Sequence, residues 1–461
     1  MQSSPSSNSV SNNRPGYGPA ERGLLSRISV WLTPLLRVLT GGVFIFSGFV
    51  KAIDPWGSFY KFEEYVAAMG MPILSTLLLT GVFALCALEF LIGIFLLFGC
   101  YRRSTPIVAL AFMCVMLPLT AWIAIGDPVN DCGCFGDFLV ISNWATFWKN
   151  VVLTAMIIWL VKYNRGCIAV ISPAFQWMAA VVSLGFILLV SLRGYLSQPM
   201  LDFRPYPTGG ALVAAESGDV AEEDFRFVYE KDGVKKEFGV DDELPSEEDG
   251  WKFVERKDIY PAEKANEEED TDLTFRIWNR EGDEDLTDDV MVPDGKMLIL
   301  LIPQLREVSP ATTWKINSLY DWSTRHDIEM IAVVSGTSHE IADWEDLSMP
   351  QYEIYTCDDT AIKEVARGNP AVVYLDNGKI IWKSTLSALD IDMITASDGK
   401  NTPMFVKDGK RELLNLFYLY LICMAVPVTL SLLPRIKDAY AQRSVRRQRK
   451  VTRDDKAHDE E

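Results

Sequence analysis

The residues best suited to chemistry are two cysteines, Cys132 and Cys134, in the sequence DCGCFG on a short loop between two apolar segments. Two thiols separated by one glycine can exchange protons and electrons with another disulfide. A disulfide across one intervening residue closes a small strained ring, and strain raises the reduction potential. The spacing therefore indicates a labile redox pair. A turn that carries two cysteines by coincidence, or half of a zinc site, is the alternative.

The surrounding sequence argues against a metal. Zinc would require nearby histidines or a second close cysteine pair, and the sequence offers neither near the DCGCFG loop. The three histidines, His326, His339 and His458, all lie outside the apolar segments, which argues against bis-histidine haem and against an intramembrane metal site. We therefore expect no metal cofactor. The eight cysteines are spread widely and do not resemble a disulfide scaffold.

Hydrophobic and charged residues are unevenly distributed along the 461-residue chain. Hydrophobic residues make up 49% of the chain. Long apolar blocks lie within the first two hundred positions and in a short later segment, whereas the net charge of −18 comes mainly from the region between them. This distribution predicts a membrane protein with a soluble acidic insert. The acidic insert argues against nucleic acid and anionic headgroups as partners.

Six apolar segments are each about 20 residues long, which is enough for a helix to cross a bilayer. Helices are expected because lipid offers no partners to backbone polar groups. The segments are Trp31–Val50, Pro72–Phe98, Pro106–Ile125, Trp144–Val161, Ile168–Leu192 and Leu413–Leu433.

Lysine and arginine in the short loops predict the orientation of these spans. Basic residues precede the first span, join the second to the third and the fourth to the fifth, and follow the sixth. The opposite face then receives the loop 54–70, the DCGCFG loop and the acidic insert. We expect a multi-pass membrane protein with both termini cytoplasmic. The cysteine pair and the insert would share the non-cytoplasmic face, where thiols can cycle through disulfides.

Ionisable residues within the spans are few. Arg37 and Glu89 lie well inside apolar segments, so they are expected to face the interior of the bundle, where they could contact each other. A neutral Glu89, or an Arg37 that reaches the interface, is the alternative. Lys51 and Asp54 are expected to anchor the end of the first span at the outer interface.

Two cysteines within the spans lie at similar depth. Cys86 and Cys114 are each some 18 to 20 Å from the outer end of their helix at a rise of about 1.5 Å per residue, so they could meet and form a second thiol relay. Cys86 is also one turn from Glu89. Buried cysteine more commonly acts as a small hydrophobic residue, which is the alternative. Three cysteines are expected to be inert: Cys100, Cys167 and Cys423.

The insert divides into two parts. Its first part, to about residue 294, is acidic and loop-rich, with edge strands expected at Phe225–Tyr229 and Trp251–Val254. The second part shows the order strand, helix, strand, helix and hairpin, which is the order of thioredoxin, and that fold places its cis-proline where Asn369-Pro370 occurs. The predicted elements are Met297–Ile302, Ala311–Arg325, Ile328–Val334, Thr360–Arg367, Ala371–Leu375 and Lys379–Lys383.

Three features of the membrane region resemble the DoxX and MauE families of small membrane proteins: the sequence at 37–55, Glu89 with Gly93, and the DCGCFG loop. These families are four-helix bundles often associated with redox maturation, and the resemblance covers about residues 27–163. With its thioredoxin-like part, the chain resembles fused DoxX-type proteins common in Bacteroidota, and this resemblance implies a place in the bacterial inner (cytoplasmic) membrane with the soluble domain in the periplasm. MauE-type methylamine utilisation proteins are implicated in maturation of a disulfide-rich periplasmic enzyme beside a thioredoxin-like partner, and the resemblance implies that such a partner is fused here.

The thioredoxin-like part departs from its family at the active site. Thioredoxins carry C-x-x-C directly after the first strand of this order, and here Pro303–Val308 contains no thiol, so the domain is expected to lack independent thioredoxin chemistry. Cys357 precedes a predicted helix, whose dipole would favour a thiolate able to form a mixed disulfide with the pair. Asp358 and Asp359 would oppose ionisation, and an incidental cysteine is the alternative.

The predicted fold is an α-helical membrane bundle of about six transmembrane helices plus a soluble α/β thioredoxin-like domain. The predicted segments are a disordered cytoplasmic tail and not a signal peptide (1–27), a four-helix DoxX/MauE-like domain (28–163), a fifth transmembrane helix (164–196), an acidic periplasmic segment (197–294), a thioredoxin-like periplasmic domain (295–405), a sixth transmembrane helix (411–434) and a basic cytoplasmic tail (435–461).

Two functions from different classes fit these features. In the first, Cys132 and Cys134 accept electrons from a reduced periplasmic thiol protein as part of a membrane thiol-disulfide oxidoreductase, and the bundle passes them on, with a quinone as one candidate acceptor. In the second, the bundle is a non-catalytic scaffold that presents a binding domain without redox thiols. A transporter is a third alternative, supported only by Arg37 and Glu89. The expected partners are membrane lipids and a periplasmic protein, with no nucleic acid.

Overall fold

The computed structural model describes residues 21–70, 75–127, 129, 133–139, 141–164, 169–212, 225–231, 234–238, 252–258, 275–291, 295–396 and 408–459. The chain forms two compact units. The first contains residues 1–195, 199–201 and 408–461, and the second contains residues 196–198 and 202–407. Cys132 and Cys167, both named in the sequence analysis, lie outside the described residues.

The first unit is a bundle of long apolar helices. In the described part of the chain, six helices are long and apolar enough to cross a membrane, as predicted. Apolar side chains on their outer surfaces are exposed, as lipid contact requires. The helices of this unit are α1 (Glu21–Ile53), α2 (Pro55–Ala68), α3 (Ser75–Phe98), α4 (Ser104–Gly126), α5 (Asn143–Tyr163), α6 (Gln176–Leu196) and the last helix (Gly409–Asp459).

Two sequence predictions about these helices were wrong. Residues 54–70 were predicted as a loop but form α2, because Pro55 occupies a first-turn position and Asp54 Oδ1 accepts a hydrogen bond from Gly57 N at 3.0 Å. Phe59 and Tyr65 bury one face of this helix. In addition, α1 begins at Glu21, inside the segment that was predicted to be disordered.

Glycine allows α1 and α3 to pack closely. A Cβ atom on Gly48 would lie 2.6 Å from the backbone nitrogen of Phe90, and one on Gly93 would lie 2.6 Å from the backbone nitrogen of Ile45. Such distances leave no room for a side chain, and small residues serve this purpose at helix contacts in membranes. The close approach brings the last turns of α1 against the middle of α3.

The second unit contains two sheets. Three strands form an antiparallel sheet in the order β2-β1-β3, so both strands predicted for the acidic part are present, but β1 is the central strand and not an edge strand as predicted. Five further strands form a mixed sheet in the order β6-β5-β4-β7-β8. The strands are β1 (Phe225–Lys231), β2 (Val234–Phe238), β3 (Lys252–Asp258), β4 (Lys296–Ile302), β5 (Glu329–Val334), β6 (Glu353–Thr356), β7 (Ala371–Asp376) and β8 (Lys379–Thr385).

The mixed sheet has the predicted thioredoxin-like arrangement. Strand β4 is parallel to β5 and antiparallel to β7, with Leu298 opposite Tyr374, and β7 continues into the β8 hairpin. The Asn369-Pro370 peptide bond is cis, which confirms that prediction. The helices of this unit are α7 (Thr287–Val290), α8 (Thr313–Arg325), α9 (Ser338–Ser348), α10 (Asp359–Val365) and α11 (Ile391–Thr395). The last helix of the first unit, Gly409–Asp459, is labelled α12.

Side chains from both faces of this sheet form its core. Leu298 and Leu300 face one apolar cluster and Ile299 and Leu301 face the other, all with no measurable exposure. A strand buried on both faces needs the continuous apolar sequence that predicted β4. Helix α9 and strand β6, which lie between β5 and α10, were not predicted from the sequence.

Candidate functional site

A short loop between α4 and α5 holds Cys134. Gly133 and Gly136 both adopt positive φ angles, of 57° and 54°, and Gly136 N donates to Gly133 O at 3.1 Å to close a turn around Cys134. A Cβ on Gly133 would lie 3.2 Å from the Lys61 side chain on α2. Glycine therefore fits this turn both by conformation and by space. Cys134 is partly exposed.

Two side chains fix this loop to the bundle. Asn143, at the start of α5, donates to Asp127 Oδ1 at 2.8 Å and to Val129 O at 2.9 Å. The Phe135 ring packs against Phe46 of α1, with 5.4 Å between ring centroids. The loop that contains Cys134 is thus held by contacts with α1, with the end of α4 and with the start of α5.

A buried ion pair lies directly below the loop. Lys51 Nζ contacts both Glu89 oxygens, at 3.0 and 2.8 Å, and the two side chains are only 7% and 6% exposed. Lys51 also donates to Ser47 Oγ at 2.8 Å, and Ser47 in turn donates to the carbonyl oxygen of Cys134 at 2.8 Å. A continuous hydrogen-bond chain therefore connects the cysteine loop to a charge pair inside the bundle.

This pairing corrects two sequence predictions. Glu89 was expected to contact Arg37, but its partner is Lys51. Arg37 and Lys51 are about 21 Å apart along α1 at 1.5 Å per residue, so one carboxylate cannot reach both. Arg37 instead donates to Leu97 O at 3.4 Å. Lys51 was expected to be an interface anchor, and the structure buries it.

Sequence reasoning missed Ser47 and gave Lys51 the wrong role, although a signal was present. Ser47 and Lys51 are four residues apart on α1 and therefore share one face, with Gly48 beside them. A polar pair next to a glycine marks the face that meets another helix. Glu89 is the acidic residue on α3, and a buried lysine requires such a partner.

The predicted relay between Cys86 and Cys114 is not formed. Cys86 is fully buried, within electrostatic range of Lys51 and Glu89, whereas Cys114 is exposed on α4. Depth along the helix axis, on which the prediction rested, does not determine the direction in which a side chain points. The structure thus brings Cys86, Lys51, Glu89 and Cys134 together and leaves Cys114 outside this group.

A cavity of about 60 Å³ that opens in part to solvent lies in the bundle beside the ion pair. Lys51, Glu89 and Cys134 all line it, and Lys61 and Lys149 add positive charge. Most of the remaining wall is apolar and includes several aromatic rings.

The remaining candidate cysteine lies in the second unit and does not have the predicted character. Cys357 is buried, and burial, followed by the nearby charge of Asp358, raises its pKa to about 12. Asp358 itself caps α10, since its Oδ1 accepts hydrogen bonds from Thr360 N and Ala361 N. The expectation that the helix dipole favours a thiolate was therefore wrong, because desolvation and a neighbouring carboxylate outweigh it.

The second unit has a buried lysine of its own, which the sequence analysis did not identify. Lys383 Nζ contacts Asp202 Oδ2 at 2.5 Å and donates to the carbonyl oxygens of Tyr206 and Val365 at 2.6 and 2.8 Å. Asp202 also binds Arg204 at 2.7 Å. Burial and the charge of Arg204 lower the pKa of Lys383 to about 7 despite Asp202. The two cations hold the pKa of Asp202 below its usual value.

Within the described ranges, no group of three or more histidine, cysteine or acidic side chains is arranged to hold a metal ion. Fold and site together define a multi-pass membrane protein that combines a helical bundle with a thioredoxin-like α/β domain. Residues 29–163 match a family described as methylamine utilisation protein MauE, and residues 224–260 match a domain of unknown function, DUF8463. The search of curated proteins found no match.

Among solved structures, the mitochondrial 2-Cys peroxiredoxin from Plasmodium falciparum is similar to part of the chain. The similarity covers 32% of this chain and 88% of the peroxiredoxin, with 11% sequence identity and a TM-score of 0.19.

Proposed function

We propose that this protein is a membrane thiol-disulfide redox protein that supports the maturation of periplasmic proteins through Cys132 and Cys134. The observation that carries the proposal is the position of Cys134, partly exposed on a short glycine turn whose backbone is hydrogen-bonded to the Lys51–Glu89 pair through Ser47. The similarity of residues 29–163 to the MauE family supports it.

The proposed step is a disulfide exchange in which the partner is oxidised. A thiolate of the reduced partner attacks one sulfur of the Cys132–Cys134 disulfide, forming a mixed disulfide and releasing the other cysteine as a thiolate. The second thiolate of the partner then attacks the mixed disulfide. The partner gains a disulfide and the pair becomes a dithiol, so two electrons pass to this protein. The positive charge of Lys51 lies close enough to Cys134 to attract the thiolate that forms there.

In this proposal the thioredoxin-like domain binds the partner and performs no thiol chemistry itself, because it has no redox pair. Pro303–Val308 stands where C-x-x-C would be, and Cys357 is buried with a raised pKa. These same features favour the second candidate function, in which the bundle is a scaffold for a binding domain and performs no redox chemistry.

Trapping the thiols in native membranes separates these two functions. Membranes are quenched in acid, alkylated before and after reduction, and the peptide that carries both cysteines is quantified by mass spectrometry. We expect both the dithiol and the disulfide to be present, with the ratio shifting when a reductant or an oxidant is added. A peptide that remains entirely reduced under all conditions would favour the scaffold.

Serine variants test whether the pair carries the function. Cells with Cys132→Ser/Cys134→Ser are expected to show the same phenotype as cells that lack the gene, whereas Cys100→Ser serves as a matched control within the bundle. In addition, the remaining thiol of a single Cys132→Ser or Cys134→Ser variant should attack the disulfide of the oxidised partner, in the reverse of the proposed exchange, and should be trapped as a mixed disulfide. A double variant that behaves as wild type would contradict the proposal.

A further inference from the structure

The cavity in the bundle adjoins both the redox loop and the buried charges. Cys134 and Phe135 line it from the loop, and Lys51 and Glu89 line it from α1 and α3. A pair that has accepted two electrons must pass them to an oxidant before it can act again. An oxidant bound in this cavity would lie next to one sulfur of the pair.

The lining selects for the chemistry of that oxidant. Phe44, Phe62 and Phe112 contribute aromatic rings, and leucine, methionine and valine side chains extend this apolar wall beside the charged groups. An aromatic-lined wall suits a neutral ring whose two carbonyl oxygens need only a few donors. Lys61 and Asn150 also line the cavity and can donate hydrogen bonds to such oxygens.

We propose that this cavity binds a lipid-soluble quinone that reoxidises the Cys132–Cys134 dithiol. The inference rests on the proposed function and adds the electron acceptor to it. In the step, two S–H bonds break and one S–S bond forms. Two electrons and two protons pass to the two carbonyl oxygens of the quinone, which leaves as a hydroquinone.

A matched pair of substitutions on α4 tests the site. Met116 lines the cavity, and Val115, the preceding residue, is 64% exposed on the outer surface of the bundle. Met116→Trp fills the cavity, while Val115→Trp adds the same side chain outside it. Full-length protein in lipid nanodiscs is irradiated with a short-chain azidoquinone, and the labelled peptides are identified by mass spectrometry.

We expect labelling of peptides from α1, α3 or α4 that line the cavity, with competition by unlabelled quinone. Met116→Trp should reduce the labelling by about tenfold or more, because the indole ring occupies the space that the quinone needs, and Val115→Trp should leave it unchanged. Size-exclusion chromatography checks that both variants fold. Equal labelling of both variants, or labelling confined to lipid-facing peptides, would overturn the proposal.

A second measurement separates this inference from the proposed function. Cys132→Ser/Cys134→Ser protein should still be labelled by the azidoquinone, but only wild type should convert added quinone to hydroquinone under anaerobic conditions, at one equivalent per reduced pair. Unlabelled wild-type protein whose pair still exchanges with a thiol partner would reject the quinone site alone. Labelled protein whose pair never changes redox state would reject the proposed function.

Discussion

The bundle and the α/β domain each bury a lysine, and the two lysines differ in their surroundings. Lys51 has one anionic partner, Glu89, and it borders a cavity and a cysteine. Lys383 shares Asp202 with Arg204 and is also held by two backbone carbonyl groups.

Under the proposed function the two lysines have different roles: Lys51 acts at the redox site, and Lys383 holds the α/β domain together. Lys383 lies on β8 and is surrounded by acceptors of its own unit. It therefore joins β8 to the segment 202–206 and to Val365 at the end of α10. Lys51 has a side open to the cavity, where another molecule can meet it. Each lysine has one carboxylate partner and three acceptor contacts, so the feature that distinguishes Lys51 is the cavity beside it.

The largest expected effect follows from removing Lys51. Lys51→Met leaves Glu89 buried without its cation, which should destabilise the bundle by about 3–5 kcal/mol. Lys383→Met should cost less, because Asp202 keeps Arg204 as a partner. Hydrogen exchange of peptides from each unit, measured in the full-length protein in detergent, reports the two costs separately.

The double variant Lys51→Met/Glu89→Leu is the control for this comparison. It removes both charges, so we expect it to recover most of the stability that Lys51→Met loses. Equal costs for Lys51→Met and Lys383→Met, or no recovery in the double variant, would contradict the distinction between the two lysines.

A smaller effect is expected from the helix contact that brings Lys51 to Glu89. Gly48→Ala places a Cβ 2.6 Å from Phe90 N and 2.9 Å from Cys86 O, and both are backbone atoms that cannot move aside alone. The expected cost is about 1–3 kcal/mol, with faster hydrogen exchange in α1 and α3.

Gly42→Ala on the same helix is the matched control, since nothing lies within 4 Å of its Cβ position. Alanine should there be neutral or stabilise by up to about 1 kcal/mol. If Gly48→Ala were as mild as Gly42→Ala, the ion pair would not depend on glycine packing.

The smallest expected effect is a pH dependence confined to the α/β domain. Because the pKa of Lys383 is lowered to about 7 from the usual lysine value of 10.5, the unfolded state holds this proton at pH values where the folded state has released it. Stability should therefore rise with pH above 7, by about 1 kcal/mol between pH 7 and 8.

Urea-dependent proteolysis of the full-length protein at the two pH values, with cleavage followed in residues 295–396, measures this rise. Lys383→Met should remove it, whereas Lys363→Met, which alters a lysine paired with Asp359 near the surface of the same domain, should retain it. A rise that persists unchanged in Lys383→Met would assign the pH dependence to another group.

Elements made of uninterrupted apolar residues could be predicted from the sequence. Apolar segments about 20 residues long predicted the spans, and β4 and β5 were predicted because strands buried on both faces need uninterrupted apolar residues. The short strand β6 was missed because its residues are only partly buried or exposed. Helix α9 was missed although Thr337 and Glu340 form a capping box at its start.

The pairing within the site could not be predicted in the same way. Whether Arg37 or Lys51 contacts Glu89 depends on where α1 and α3 cross. The glycine positions in the sequence do not determine this crossing point without the three-dimensional packing of the helices. Likewise, the sequence placed Cys357 before a helix but could not give its burial, which determines its protonation. Both errors concern tertiary surroundings and not local propensity.

Ser47 gives the bundle a means of acting on the loop. The Ser47 hydroxyl donates to the carbonyl oxygen of Cys134 and accepts a hydrogen bond from Lys51. In the proposed cycle, a rotation of the Cys134 carbonyl group would therefore change the hydrogen bonding of the buried lysine. Coupling free energies are reciprocal, and the ion pair therefore acts on the loop as strongly as the loop acts on the ion pair. The midpoint potential of the two sulfurs would thus be adjustable from the bundle interior, through residues that carry no sulfur.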